Sequence, residues 1–422
     1  NETMDFIKTP VKGMRDALPA DVLLREHVMG MIRETYRKYG FTEIETPAIE
    51  HIENLTNKQG GDNEKLIFKV LKRGEKLKLE SAKTEDDLTD SGLRYDLTVP
   101  LVRYYSAHSA ELPKPFKALQ VGPVFRADRP QRGRYRQFMQ CDIDIIGEVG
   151  NLAEIELITA TTTCLGRIGF SGFEIRINDR RILKAMAAYA GFSEDAFDEV
   201  FISLDKMDKI GTDGVRDELI ERGYDSGSVE KYLAIYGELS GERSVSGGMK
   251  LLADRLGDHL SDDVVSWMTE IASAVEAAKS ADFELVFDPT LVRGMSYYTG
   301  TIFEIAIPEF GGSCGGGGRY DEMIGRFSGQ QVPACGFSIG FERIILLLTE
   351  SDFEVPGSSE RIAYLIDKKY PADRLSDVMR QAADERAAGK QILIVRMNKN
   401  KKFQKEQLAE QGYSEFKEFY ND

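Results

Sequence analysis

The feature that most restricts what this chain can build is an arginine set on a glycine-bounded, strand-like run, Leu291-Val292-Arg293-Gly294-Met295-Ser296-Tyr297-Tyr298-Thr299-Gly300. A guanidinium placed without a partner in an ordinary core strand is heavily penalised by desolvation. The run therefore reads either as a wall of a binding site or as a solvated strand edge. Arg293 beside the phenols of Tyr297 and Tyr298 suits the first, because the set can grip an anionic group next to a small polar ring.

Two further segments decide between these readings. Gly122-Pro123-Val124-Phe125-Arg126 leads through a loop holding Arg129, Arg132, Arg134 and Arg136 into Phe138 and then Gln140, Asp142 and Asp144. The last three alternate with Cys141, Ile143 and Ile145, so a strand here carries a polar face that wants a ligand or water. Gly336-Phe337-Ser338-Ile339-Gly340-Phe341-Glu342-Arg343 follows the glycine run Gly315-Gly316-Gly317-Gly318 and predicts a helix that begins near Gly340. Upstream, Asp96 and Thr98 in Arg94-Tyr95-Asp96-Leu97-Thr98-Val99-Pro100 project from one face if the segment is extended. A carboxylate beside a hydroxyl can accept hydrogen bonds from an ammonium group. Asp96 capping the helix that contains Leu101, Val102 and Tyr105 is an equally good reading.

Together these segments resemble motifs 2 and 3 of the class II aminoacyl-tRNA synthetases, and the Arg293 run resembles the histidine-specific signature of the histidyl-tRNA synthetases. The resemblance covers residues 9 to 350. It implies an α+β fold: an antiparallel catalytic sheet flanked by helices, with a helical insertion and a small carboxy-terminal α/β domain. It implies that Arg126 bridges the substrate carboxylate and the α-phosphate of ATP, with Arg293 a second cation there. Arg134, Arg136, Phe138 and Arg343 are implied at ATP, Phe138 stacking on adenine and Arg343 holding the γ-phosphate. Asp96, Thr98 and Gln140 are implied at the α-amino group of histidine, and Asp144, Tyr297 and Tyr298 around its imidazole. The family more often carries glutamate at the position of Asp144 and aspartate at that of Ser296. The implied partners are histidine, ATP with Mg2+ and histidine tRNA, with no residues assigned to the metal. Histidine-sensing regulatory subunits of ATP phosphoribosyltransferase share the architecture. They lack the anticodon domain and lose parts of the arginine set kept here at Arg126, Arg134, Arg136, Arg293 and Arg343.

Periodicity organises the rest. Leu24, Val28, Ile32 and Tyr36 recur at helical spacing and predict a helix over Val22 to Tyr39, stopped by Gly40. Phe41 to Pro47 then alternates like a strand closed by proline. A long helix, a strand and Pro47 resemble motif 1, which implies a homodimer; read alone they are ordinary scaffold. The expected divisions are residues 1–178 and 283–350 as the catalytic domain, 179–282 as a charged helical insertion, 351–359 as a linker, and 360–422 as a shortened anticodon-binding-like domain. In that last part a βαβ pattern leads to Lys399, Lys401 and Lys402, which read as a phosphate contact or a solvated helix end.

The formal net charge of -15, from 55 basic and 70 acidic residues, leaves nucleic-acid binding to local clusters of arginine and lysine. Cys141, Cys164, Cys314 and Cys335 are too scattered for a disulfide framework, and the four histidines lack zinc spacing. A cytoplasmic protein without a structural metal is the expectation. No apolar run approaches the roughly 20 residues that span a bilayer.

Overall fold

The computed structural model describes residues 6–56, 64–294, 298–357 and 359–421. These divide into two compact units, residues 1–16 with 28–351, and residues 17–27 with 352–422.

The first unit is organised by a sheet of eight strands. They are β1 (Thr42–Ile44), β5 (Phe116–Phe125), β6 (Gln137–Ile146), β11 (Ala334–Ile339), β10 (Gly312–Arg319), β9 (Thr301–Ile307), β7 (Phe173–Asp179) and β8 (Phe283–Phe287), in that spatial order. Both outer pairs, β1 with β5 and β7 with β8, are parallel, and every pairing between them is antiparallel. A smaller antiparallel sheet joins β2 (Ile49–His51), β4 (Thr89–Leu93) and β3 (Lys69–Leu71).

The register explains the glycine run. One rung across the large sheet is Gln120, Asp142, Ser338, Gly316, Glu304 and Arg176, and it is polar at every position with a side chain. The adjacent rung on the opposite face is Leu119, Ile143, Phe337, Gly317, Phe303 and Ile177, which is apolar. Because side chains alternate along a strand, one face becomes core and the other a polar floor. On the core face the rings of Phe303 and Phe337 stack at 4.7 Å, their strands flanking Gly317. The helix Leu152–Ile168 packs against β6 and β11, with Leu157, Ile158, Cys164 and Leu165 buried. On the polar face the glycines leave room: a Cβ on Gly316 would lie 2.8 Å from Arg293, one on Gly318 2.8 Å from the Tyr298 ring, and one on Gly336 2.0 Å from Asp144 Oδ1.

The first helix runs Pro19–Lys38, three residues earlier than its periodicity predicts. Proline is well suited to the first turn, where its missing N–H is not needed. Gly40, at φ 81°, lets the chain leave the helix. The strand that follows is shorter than expected. The carbonyls of Thr46 and Pro47 do not enter the sheet but accept from the buried Arg94 guanidinium, at 2.8 and 3.3 Å.

The stretch Arg180 to Ala277 is helical, with helices at Arg180–Ala190, Phe197–Leu204, Met207–Glu221, Ser226–Leu239, Val245–Leu256 and Asp262–Ala277. The second unit carries a parallel sheet in the order β13 (Gln391–Arg396), β12 (Arg361–Ile366) and β14 (Glu415–Phe419). Alternation along β12 buries Ile362, Tyr364 and Ile366 with Val378 and Ala382 of the helix Ala372–Ala387. Ala363 and Leu365 are buried with Leu408 of the helix Lys401–Glu410. β14 has no counterpart in the βαβ pattern read from the sequence. Among the described residues no helix is long and apolar enough to cross a membrane.

Candidate active site

A cleft of about 430 Å³ opens over the polar floor. Its walls come from β6, β10 and β11, the loop between β5 and β6, the start of the helix Thr98–His108, Arg293 and the start of the helix Phe341–Glu350.

Three carboxyls line the cleft. Asp142 and Asp144 on β6 are buried, and Asp96 reaches in from the helix start. Burial raises the pKa of all three carboxyls, because a low-dielectric setting disfavours the charged form. For Asp142 burial is opposed by a hydrogen bond from Ser338 and by Arg126, and assisted by Asp96, which leaves the group at about 7. Asp144 Oδ1 accepts from the Tyr320 hydroxyl at 2.5 Å. Asp96 Oδ1 accepts from the Val99 amide at 3.1 Å.

The cleft also holds arginines. Arg126 donates from Nε to the Tyr95 carbonyl at 2.9 Å and lies 5.1 Å from the centre of the Phe138 ring. Arg293 donates from Nη1 to Glu304 at 3.2 Å. Arg343 reaches the Ser313 carbonyl and sits over Phe310 at 5.1 Å. Its pKa is lowered by burial first and then by the charges of Arg134 and Arg293. Guanidiniums that repel one another across a partly buried cleft are held ready for a polyanion, which would relieve the repulsion. Carboxyls and arginines lining one cleft match a cationic amine linked to a carboxylate and a phosphate chain.

Residues 13–344 match the family model described as histidyl-tRNA synthetase. This chain belongs to the histidyl-tRNA synthetase family.

Among similar proteins, a histidine–tRNA ligase of Leifsonia xyli is 46% identical over 97% of this chain and 94% of its own length. A probable histidine–tRNA ligase of Tropheryma whipplei is 43% identical over 81% of this chain and 80% of its own. The crystal structure of a histidyl-tRNA synthetase from a Nostoc species superposes with a TM-score of 0.80 at 26% identity, covering 96% of this chain and 90% of that one. A Bacillus halodurans structure, described as an ATP phosphoribosyltransferase regulatory subunit/histidyl-tRNA synthetase, has a TM-score of 0.79 at 21% identity. It covers 99% of each chain and testifies to the shared fold.

Of the residues that the likeness to the histidyl-tRNA synthetases singles out, Asp96, Thr98, Arg126, Arg134, Phe138, Gln140, Asp144, Arg293, Tyr298 and Arg343 all line the one cleft. Arg136 does not. Its Nε donates to the Asp128 carbonyl at 3.0 Å, its amide bonds the Gly13 carbonyl, and its side chain packs over Gly13. Tyr297 and Ser296 lie outside the described residues. Asp96 and Thr98 are not on an extended segment: the helix starts at Thr98 and Asp96 caps it, while both still face the cleft. Arg343 stands in the first turn of the helix Phe341–Glu350.

The sequence reading passed over several residues that build the site. Tyr320 holds Asp144, and Ser338 holds Asp142. Glu342, buried behind the motif 3 glycine, accepts from the Met139 amide at 3.2 Å and from Arg15 at 3.1 Å, which ties β6 to that helix and to the amino-terminal segment. Tyr320 follows directly on the glycine strand and Ser338 alternates with Gly336, so periodicity offered a signal for both.

The raised carboxyls make a measurable pH dependence. An unfolded aspartate titrates near about 3.9. Folded Asp142 keeps its proton to about 7. Between these values the folded state binds more protons than the unfolded one, so this group's contribution to stability falls as pH rises. Asp142→Asn cannot ionise and escapes that loss. In urea unfolding its stability relative to the native chain is expected to rise by about 1–3 kcal/mol between pH 4 and 7.5. A difference that stays flat with pH would contradict the buried, raised carboxyl.

Proposed function

We propose that this protein ligates L-histidine to the 3′ end of histidine tRNA in two steps, through histidyl-adenylate. The observation that carries the reading is the single cleft in which Arg126, Arg134, Arg293 and Arg343 converge opposite Asp96, Asp142 and Asp144. In the first step a histidine carboxylate oxygen attacks the α-phosphorus of ATP, the α–β bond breaks and pyrophosphate leaves. Negative charge spreads over the phosphoryl oxygens as two anions meet, so preorganised cations are what the step requires. Arg126 bridges carboxylate and α-phosphate, and Arg293 supports the α-phosphate from the other side. Arg343 and Arg134 hold the β- and γ-phosphates, and Phe138 stacks on adenine. The α-amino group meets Asp96, Thr98 and Gln140, and the imidazole lies between Asp144 and the tyrosines of the Arg293 run.

In the second step a ribose hydroxyl at the end of the tRNA attacks the adenylate carbonyl and AMP leaves. Among the described residues no three His, Cys, Asp or Glu side chains group as a metal site. Mg2+ would accompany ATP as part of the substrate. The second unit, with Lys399 just ahead of its helix Lys401–Glu410 and Lys401 and Lys402 in the first turn of that helix, contacts the anticodon arm, and the helix Pro19–Lys38 with edge strand β1 forms a homodimer interface. The enzyme works in the cytoplasm.

Pyrophosphate exchange into ATP, with each amino acid in turn and no tRNA, tests the reading. Exchange with histidine alone is the expected result. Histidine binding by calorimetry without any exchange would overturn it in favour of a histidine sensor.

A further inference from the structure

β6 turns Gln140, Asp142 and Asp144 toward the cleft, and two of the three keep an oxygen that nothing fills. Asp144 is committed to the Tyr320 hydroxyl at 2.5 Å and lies flat over Gly336. Asp142 is 6% exposed, yet its Oδ1 has no hydrogen-bond partner, and neither has Oε1 of Gln140, which faces the same cleft. Neighbours on the same rung cannot help. Gln120, opposite Asp142 on β5, donates to the Leu97 carbonyl at 2.9 Å and accepts from Thr46 at 2.5 Å. Ser338, opposite on β11, already donates to Asp142. A buried acceptor left without a donor is costly, and such groups in folded proteins call for an explanation.

Two acceptors facing one space require a ligand that donates more than once. Arg126 and Asp96 both act electrostatically on Asp142. The opening by Asp142 is thus bounded by a guanidinium, a second carboxyl and an amide oxygen. An α-amino acid whose carboxylate rests on Arg126 carries its ammonium one carbon away, and these acceptors line the same cleft, Asp142 within electrostatic reach of Arg126. Its side chain then extends along β6 toward Asp144 and Tyr320. Resting on the function proposed above, we propose that Asp142 is a substrate-binding residue whose free Oδ1 accepts a hydrogen bond from the α-ammonium of histidine. The groups facing it from the surrounding elements are Asp96, Arg126, Gln120, Ser338 and, along its own strand, Gln140 and Asp144.

The test compares histidine with 3-(imidazol-4-yl)propionate, which keeps the ring and the carboxylate and lacks the amine. The unaltered protein is first shown to exchange pyrophosphate with histidine; failure there counts against the activity itself and is seen before any variant is made. Asp142→Asn and Asp142→Ala are then expected to raise the KM for histidine by about 10- to 100-fold, as for loss of a charge-assisted hydrogen bond, with kcat changed much less. Inhibition by the des-amino analogue should stay within about twofold of wild type, the analogue having nothing to offer Oδ1. Unchanged KM for histidine overturns the proposal. So does equal weakening of both ligands, which would make Asp142 a contact of the ring or a structural residue, and a variant that no longer folds falls under this outcome.

Discussion

Replacing Glu154 by alanine is expected to destabilise the first unit by about 3–5 kcal/mol, one of the largest losses any single change should produce here. Glu154 is 0% and Arg319 3% exposed, so the pair has no water to fall back on. The carboxylate meets the guanidinium edge-on, with Oε1 at 2.5 Å from Nη2 and Oε2 at 3.1 Å from Nε, and Oε2 also accepts from the Thr301 hydroxyl at 2.8 Å. The remaining arginine donors go to the carbonyls of Glu148 and Gly150 and to Asp321. Trp267 lies 5.2 Å from the guanidinium and donates to Thr301 at 2.8 Å. Removing the carboxylate therefore leaves a buried cation whose one remaining anionic partner is Asp321, 3.1 Å away and part-exposed, the others being neutral carbonyls. The cost comes from that under-compensated charge more than from the worth of the pair. The double variant Glu154→Leu with Arg319→Met should accordingly lose much less than the two single changes added together. Urea unfolding of Glu154→Ala, of Glu154→Leu and Arg319→Met singly, and of the double variant is the measurement. A loss below about 1 kcal/mol for Glu154→Ala, or simple additivity, would refute the account. The consequence reaches the cleft, because Arg319 ends the glycine strand and the next residue, Tyr320, holds Asp144.

What could be read in the sequence was local. The alternation of Gln140, Asp142 and Asp144 with apolar neighbours announces a strand with one polar face, and the structure has that strand. Gly340 ahead of Phe341 announces a helix start, and Gly40 a helix end. The glycine run stood out in the sequence, but not what it makes room for. The register supplies that: Gly316 and Gly336 lie flat under Arg293 and Asp144, from segments distant in the chain. Pairings formed across long separations left no local trace. Arg319 finds Glu154 165 residues away, Tyr320 finds Asp144 at 176, and Arg15 finds Glu342 at 327. The choice between Asp142 and Asp144 was hidden for the same reason. Both face one side of β6 and each accepts from a hydroxyl, Asp144 from Tyr320 and Asp142 from Ser338, and what sets Asp142 apart is its buried Oδ1 without a partner. Asp96 shows the opposite case, where two local readings, cap and cleft residue, turn out to be compatible.

Arg126→Lys is expected to slow histidine-dependent pyrophosphate exchange by about 10²- to 10³-fold in kcat, the scale seen when a preorganised donor to a developing oxyanion is lost. Charge is not what the change removes. The guanidinium spends one edge on structure, Nε donating to the Tyr95 carbonyl at 2.9 Å, while the Phe138 ring centre lies 5.1 Å away. That anchoring fixes the plane of the fork and leaves the two terminal nitrogens for a carboxylate and a phosphate oxygen at once. A lysine ammonium carries the same charge on a flexible stem and has no second edge, so it must choose between Tyr95 and the reacting anions. Ground-state attraction to the histidine carboxylate would survive in part, and KM for histidine should rise by about tenfold or less. The transition state, in which charge moves onto the phosphoryl oxygens between the two reactants, loses the group that spans them. The split between kcat and KM is thus the decisive reading. A variant with normal kcat and a greatly raised KM would reduce Arg126 to a binding contact, and the bridging role would then have to pass to Arg293, whose guanidinium is held at 3.2 Å by Glu304.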